Sequence, residues 1–183
     1  AEANAFAPYQ AAAPGFQAAI AIRREQPGDA VRQLEESLTR LHGMRYELLT
    51  TSFEIALAEG LILAGEHRRA LGVARRCIAH CRGSGDAYAL PELMRIEAQI
   101  IGALGEEGDE AVEQLLQASL AMAREQGARA WMLRSSLDLA RLRTRQGEDV
   151  AALALLDACR LEEGFDTLDV RLLEERRRAL GAT

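Results

Sequence analysis

The sequence contains no lysine: all 22 basic residues are arginine. That reads mainly as a GC-rich coding bias, with a hint of planar, bidentate contacts to acids in place of a flexible point charge. Aromatic residues make up only 4% of the chain, against 49% hydrophobic residues overall. Alanine, leucine and isoleucine must then build the core, which suits helices packed at close range. No apolar run approaches the roughly 18 residues of a membrane span, and no signal-peptide pattern is present. No stretch alternates apolar and polar residues as a strand does. The three cysteines, Cys77, Cys81 and Cys159, are too few and too helical in context for a disulfide framework, which points to a reducing cytoplasm. There is no phosphate-binding glycine loop, no Gly-x-Ser-x-Gly and no His-Glu-x-x-His, so no catalytic residue is assigned and the chain does not read as an enzyme. A net charge of −6 argues against direct nucleic-acid contact, which calls for a basic face. The chain begins at Ala1 without methionine and is expected to be a fragment of a longer protein.

What is present is a repeat. Ala30, Ala70, Val112 and Ala152 lie 40, 42 and 40 residues apart. Ser37, Cys77, Ser119 and Cys159 keep the same intervals, as do Leu34, Ala74, Leu116 and Leu156. A further column, Ala18, Ala58, Ala98 and Ala140, has spacings of 40, 40 and 42. Small or apolar residues held in one register over such a period indicate stacked helix pairs. The clearest copy is Ala64–Ala79, a turn at Gly65 followed by a helix with Ala70, Ala74 and Cys77 on one face.

Along the chain, residues 1–15 are predicted to be an N-terminal partial helix or linker ending at Pro14-Gly15. First and second helices are then predicted over Phe16–Glu25 and Ala30–Leu41, with Pro27-Gly28 as the break, Asp29 as the cap and Gly43 as the stop. The next pairs are Tyr46–Ala64 with Glu66–Cys81, Pro91–Leu104 with Asp109–Gln126, and Ala128–Gln146 with Glu148 to about Leu161. These give repeats over about 16–43, 46–82, 88–127 and 128–162. The turn Gly105-Glu-Glu-Gly108 is two residues longer than its counterparts. After a break at Gly164 and a plug at Phe165, with Asp166 or Thr167 as N-cap, a last helix over 167–180 has one apolar and one charged side, as a terminal cap needs.

The spacing Ala70/Cys77 and Ala152/Cys159, with a glycine five residues before the first member, resembles the tetratricopeptide (TPR) repeat. The 40–42-residue period resembles its long form, as in regulators of the MalT type. Leu90-Pro-Glu-Leu-Met-Arg-Ile96, Ala121-Met-Ala-Arg-Glu-Gln-Gly-Ala-Arg129 and Glu163-Gly-Phe-Asp-Thr167 are similar to the C-terminal repeat region of large bacterial signalling ATPases fused to winged-helix or nucleotide-cyclase domains. The resemblance covers about residues 16–181. It implies an all-α fold, a right-handed superhelical stack of antiparallel helix pairs with a C-terminal capping helix, in a cytoplasmic bacterial signalling or transcriptional regulator. Where such sequences often carry an aromatic near the end of the last first-helix, this chain has Arg143, which would open or polarise the groove.

In TPR arrays the first helices line a concave groove. Carried over by position, the groove residues are Ile55, Glu59 and Ile62; Arg95, Gln99 and Gly102; and Arg134, Leu137, Arg141 and Thr144. The 129–145 stretch sets Arg129, Arg134, Arg141, Arg143 and Arg145 against Asp138 alone. It reads either as a groove for an acidic peptide, a carboxylate or another domain of the parent protein, or as a solvated arginine face. The implied function is a scaffold or sensor that binds a protein, a peptide or a small inducer. The alternative is an oligomerisation or spacer domain with no ligand of its own. Cys77-x-x-His80-Cys81 places three metal-ligand types on adjacent helical positions, but Cys77 already has a packing role, so no metal and no cofactor is assigned. Trp131 and Phe53 read as core contacts.

Overall fold

The small-residue columns mark where helices can approach closely, and the chain folds around them. The structure, a computed structural model, describes residues 6–159 and 167–181. Among these residues there is no strand, and nine helices follow in order: α1 Ala7–Arg23, α2 Ala30–Gly43, α3 Thr50–Leu63, α4 His67–Ser84, α5 Leu90–Leu104, α6 Gly108–Glu125, α7 Arg129–Arg145, α8 Asp149–Asp157 and α9 Leu168–Gly181. No helix among them is long and apolar enough to cross a membrane. The chain divides into two compact units, Ala1–Asp86 and Ala87–Thr183.

In the first unit α1 packs on α2, α2 on α3, and α3 on α4, while α1 also touches α3. In the second, α5 packs on α6, α6 on α7, and α7 on α8, while α7 touches α5. Short connections between packed neighbours make each pair an antiparallel hairpin. Within a unit, the first helices of successive pairs meet directly. The last helix, α9, packs on both α7 and α8, the place a further first helix would take.

Every described position of the four columns is buried, except that Cys159 is half-buried. Around them the large apolar side chains Leu34, Leu41 and Leu61 fill the first unit and Leu93, Ile96 and Leu156 the second. Each such side chain contributes about 1.5–3 kcal/mol by leaving water. Two glycines allow closer contact still. A Cβ on Gly15 would stand 2.5 Å from the Phe53 ring, and one on Gly60 would stand 2.5 Å from Ile22 Cδ1.

Several helix ends differ from expectation. The first helix begins at Ala7 and runs through Pro14 and Gly15. Gly15 is buried against Phe53, so tertiary packing outweighs the roughly 3 kcal/mol that an interior proline costs. The break after α1 falls not at Pro27-Gly28 but at Glu25, whose φ is 57°. Gly43 stays helical and Arg45, at φ 54°, makes the turn. Asp29 precedes α2, but its backbone is already helical and its side chain makes no cap hydrogen bond. The start of α3 is Thr50 rather than Tyr46, fixed by Thr50 Oγ1 donating to the Glu47 carbonyl at 2.9 Å. By contrast α5 starts one residue before Pro91, as its first-turn proline requires. The second helix of the last pair, α8, ends at Asp157. The expected roles of Gly164, Phe165 and Asp166 lie outside the described residues.

Two substitutions test this packing. Gly15→Ala gains about 0.5–1 kcal/mol of helix propensity, yet must displace a buried aromatic ring. Its net effect in urea melts is expected to be a loss of about 1–3 kcal/mol, and Ala140→Leu is expected to cost a similar amount. A neutral result for both would mean that these columns do not set the helix contacts.

Candidate functional site

In the second unit a cluster of charge, buried at Glu92, Arg95 and Asp138, lies between α5, α7 and α9. Arg95 makes a fork–fork pair with Glu92, Nε to Oε2 at 2.9 Å and Nη2 to Oε1 at 3.0 Å. Its Nη1 donates to Asp138 Oδ2 at 2.8 Å. Gln99 Nε2 donates to the same oxygen at 2.7 Å, and Arg141 Nη1 to Asp138 Oδ1 at 2.8 Å. Arg134 joins Glu92 Oε1 at 2.8 Å to Asp169 Oδ2 of α9, also at 2.8 Å. The side chain of Glu92 is 1% exposed.

Three guanidinium groups here face three carboxylates, so the cluster is neutral. The surplus of arginine over Asp138 on α7 is partly balanced by carboxylates of other helices, Glu92 and Asp169 with Arg134 and Glu113 with Arg143. Burial pushes the Glu92 carboxyl up, but the Arg95 and Arg134 charges outweigh it and hold the group below its ordinary 4.5. Burial lowers Arg95, and Glu92 and Asp138 more than reverse that. Burying Glu92, Arg95 and Asp138 costs desolvation, and removing one partner would leave another charge buried alone.

Beside the cluster lies an open hollow of about 290 Å³ between α5, α6 and α7. Its polar side holds Gln99, Asp138, Arg141 and Arg145, and its apolar side Ala98, Val112, Leu116 and Leu142, with Gly102 at the wall. The Arg141 and Arg145 side chains are 51% and 62% exposed, whereas that of Asp138 is 9% exposed. Positive charge therefore faces solvent and the balancing carboxylate lies beneath it. Arg145 stands 3.8 Å from Asp109, too far for a hydrogen bond.

The first unit has a different surface in the equivalent place. A cleft of about 380 Å³ between α1 and α3 is lined by Phe16, Ile20, Arg23, Arg24, Ile55 and Glu59, among others. Phe16 is 49% exposed and Ile20 54%, though the Phe16 ring also meets Phe53 edge-on at 5.1 Å. Arg23 and Arg24 are exposed at its end.

The expected groove residues thus separate into groups. Glu59 and Ile55 line the cleft of the first unit; Gln99, Gly102 and Arg141 line the hollow of the second. Arg95 is buried, and Arg134 is half-buried between α5 and α9. Leu137 is in the apolar core with Ala152, Leu156, Val170 and Leu173. Thr144 is half-buried, its Oγ1 without a hydrogen-bond partner. Arg143 turns to the second-helix side, where it pairs with Glu113 and Glu148.

Cys77 and Cys81 point into the core while His80 is exposed, so the three cannot converge on one metal ion. Burial also pushes both thiols up, away from reactivity. Trp131 meets the exposed Tyr88 in a tilted contact at 4.5 Å rather than packing in the core, and Phe53 is fully buried. The sequence had not singled out Glu92, Asp169, Phe16 or Ile20 as site residues, whereas Arg145 belonged to the arginine-rich stretch it marked. Only the apolar pair Phe16/Ile20, four residues apart on a helix, left a local signal.

These features define an all-α array of paired helices of the TPR-like kind. No family profile matches the sequence. No protein of curated function matches it either. Among solved structures it is similar to the nearly identical TPR-like repeats of a Podosopora anserina kinesin light chain-type protein. One variant form of that protein aligns with a TM-score of 0.66 at 16% identity, covering 96% of this chain and 86% of that one. A second form gives 0.64 at 18% identity, covering 96% of each. At such identities the likeness establishes the fold.

The buried cluster has a pH signature. Because the folded-state pKa of Glu92 is depressed, its stabilising effect is complete above about pH 4.5 and is lost as pH falls through the lower folded value. Glu92→Gln is expected to lower stability at pH 7 by about 3–5 kcal/mol, since Arg95 and Arg134 lose their shared partner. The same variant should show a shallower loss of stability than the parent below pH 4.5. Urea midpoints measured from pH 7 to pH 3 check both.

Proposed function

We propose that this chain is the protein-interaction or sensor domain of a larger bacterial signalling or transcriptional regulator, and that the first-helix faces receive its partner. The observation that carries the reading is the cleft between α1 and α3. It leaves two large apolar side chains of one helix, Phe16 and Ile20, about half in solvent. Apolar surface rimmed by charge commonly marks an interaction site. Arg23 and Arg24 at one end favour a partner that carries acidic residues. Glu59 in this cleft, with Gln99 and Arg141 in the second unit, remains among the contact residues we assign. Arg95, Arg134, Leu137 and Thr144 would then support the face from within or beside it. The regulator context rests on the sequence resemblance, as does the expectation that other domains of the parent protein are the partners.

A second reading has its own observation. The arginines of α7 expected to meet a ligand are largely consumed by ion pairs inside the unit, through Arg134 with Glu92 and Asp169 and Arg143 with Glu113 and Glu148. A spacer or oligomerisation domain would need no more than that. Sedimentation of the purified chain over a wide concentration range separates the two: a concentration-independent monomer counts against self-association.

Titrating the chain against the remaining domains of its parent protein, by calorimetry, tests the main reading. Ile20→Glu introduces a charge at an exposed position, so folding should survive. It is expected to weaken the association about tenfold or more, as losing a central apolar anchor does. If the chain and its Ile20→Glu variant bind those domains and cell-extract proteins equally, or not at all, the reading fails.

A further inference from the structure

We propose that the hollow walled by Gly102 is a binding site for a small monocarboxylate with a short apolar tail. It deepens the sensor reading above, naming the ligand class for the first-helix face of the second unit, and rests on that reading. Gly102 is the starting point. It lies at an exposed position in the last turn of α5, on the rim of the hollow. Packing does not require it: an added Cβ would stand 3.5 Å from Val112 Cγ2, an ordinary contact. Nor does its backbone, which is not in the left-handed region. Gly15 and Gly60 differ, since a Cβ there would collide at 2.5 Å. What the missing side chain at Gly102 leaves is space.

The chemistry of the space is two-sided. Val112, Leu116 and Leu142 offer an apolar wall; Arg141 and Arg145 offer guanidinium groups at the mouth. Asp138 does not repel an anion strongly, because its carboxylate already accepts from Arg95, Gln99 and Arg141. It also fixes Arg141, which uses Nη1 for that bond and keeps its other donors for a ligand. The volume of about 290 Å³ falls just below the usual range for ligand pockets, roughly 300–1,000 Å³. It suits a free acid of a few carbons, with the carboxylate at Arg141 and Arg145 and the tail against Val112 and Leu116.

Hexanoate is the probe, with hexanol and inorganic phosphate as its two halves, followed by amide NMR shifts of the whole chain. Hexanoate should give saturable shifts at Gln99, Gly102 and Arg141, with a Kd on the order of 1 mM for so few atoms. Hexanol and phosphate should each bind about tenfold more weakly. Gly102→Leu should fold at least as stably as the parent and lose the saturable shifts. The double variant Arg141→Ala/Arg145→Ala should lose them too, while Arg124→Ala, on the second-helix side, should keep them. Should Gly102→Leu fail to fold, the double variant decides. Hexanoate shifts that do not saturate, that persist in either variant, or that phosphate matches at equal affinity overturn the inference. Partner association that still responds to Ile20→Glu, with no hexanoate site, defeats this inference and leaves the scaffold reading in place. A saturable hexanoate site with no partner association does the reverse.

Discussion

Close approach between helices is the constraint on which the rest of this structure depends. The chain has few aromatics and must build its core from alanine and leucine. Alanine buries little surface, so it stabilises only where backbones come near enough for dispersion contacts to accumulate. The columns at Ala18, Ala58, Ala98 and Ala140, and at Ala30, Ala70, Val112 and Ala152, supply those places, all of them buried. Gly15 and Gly60 tighten α1 against α3 to the point where no side chain fits. Because first helices touch each other within each unit, their remaining faces are what the chain offers to a partner.

The arginine-only composition takes on meaning from the same packing. Arg95 is almost fully buried and makes two parallel hydrogen bonds to Glu92. A lysine could not reproduce that fork, nor serve Asp138 in the same plane. Arg134 extends the cluster to Asp169 and so ties the capping helix to the array. The charges that seemed aimed at a ligand largely hold α5, α7 and α9 in register. Those left at the surface, Arg141 and Arg145, are oriented by that cluster rather than free of it.

Much of the fold was legible in the sequence because the repeat signal is redundant. Four columns at one period fix which helices pair, and Pro91 and the Gly105–Gly108 turn fix α5 and its end nearly to the residue. Helix ends were less legible. Glu25 and Arg45 adopt left-handed conformations for which their residue types give no sign, while nearby glycines do not. Pro14 reads as a break from its own chemistry and is overruled by burial of Gly15 against Phe53. The site was legible by position and not by partner. Gln99, Gly102 and Arg141 line one hollow and Glu59 another. That Glu92 and Asp169 pair with Arg134 depends on residues 42 and 35 positions away and has no local trace. Leu137 went to the core because α9 covers that side of α7.

The central claim is that the first-helix faces, not the second helices, are the working surface. Amide hydrogen exchange of the chain, alone and bound to a partner protein, tests this most directly. The account predicts slowed exchange upon association over 16–24 and 52–59, with α2, α4 and α6 unchanged. Protection confined to those second helices would contradict it.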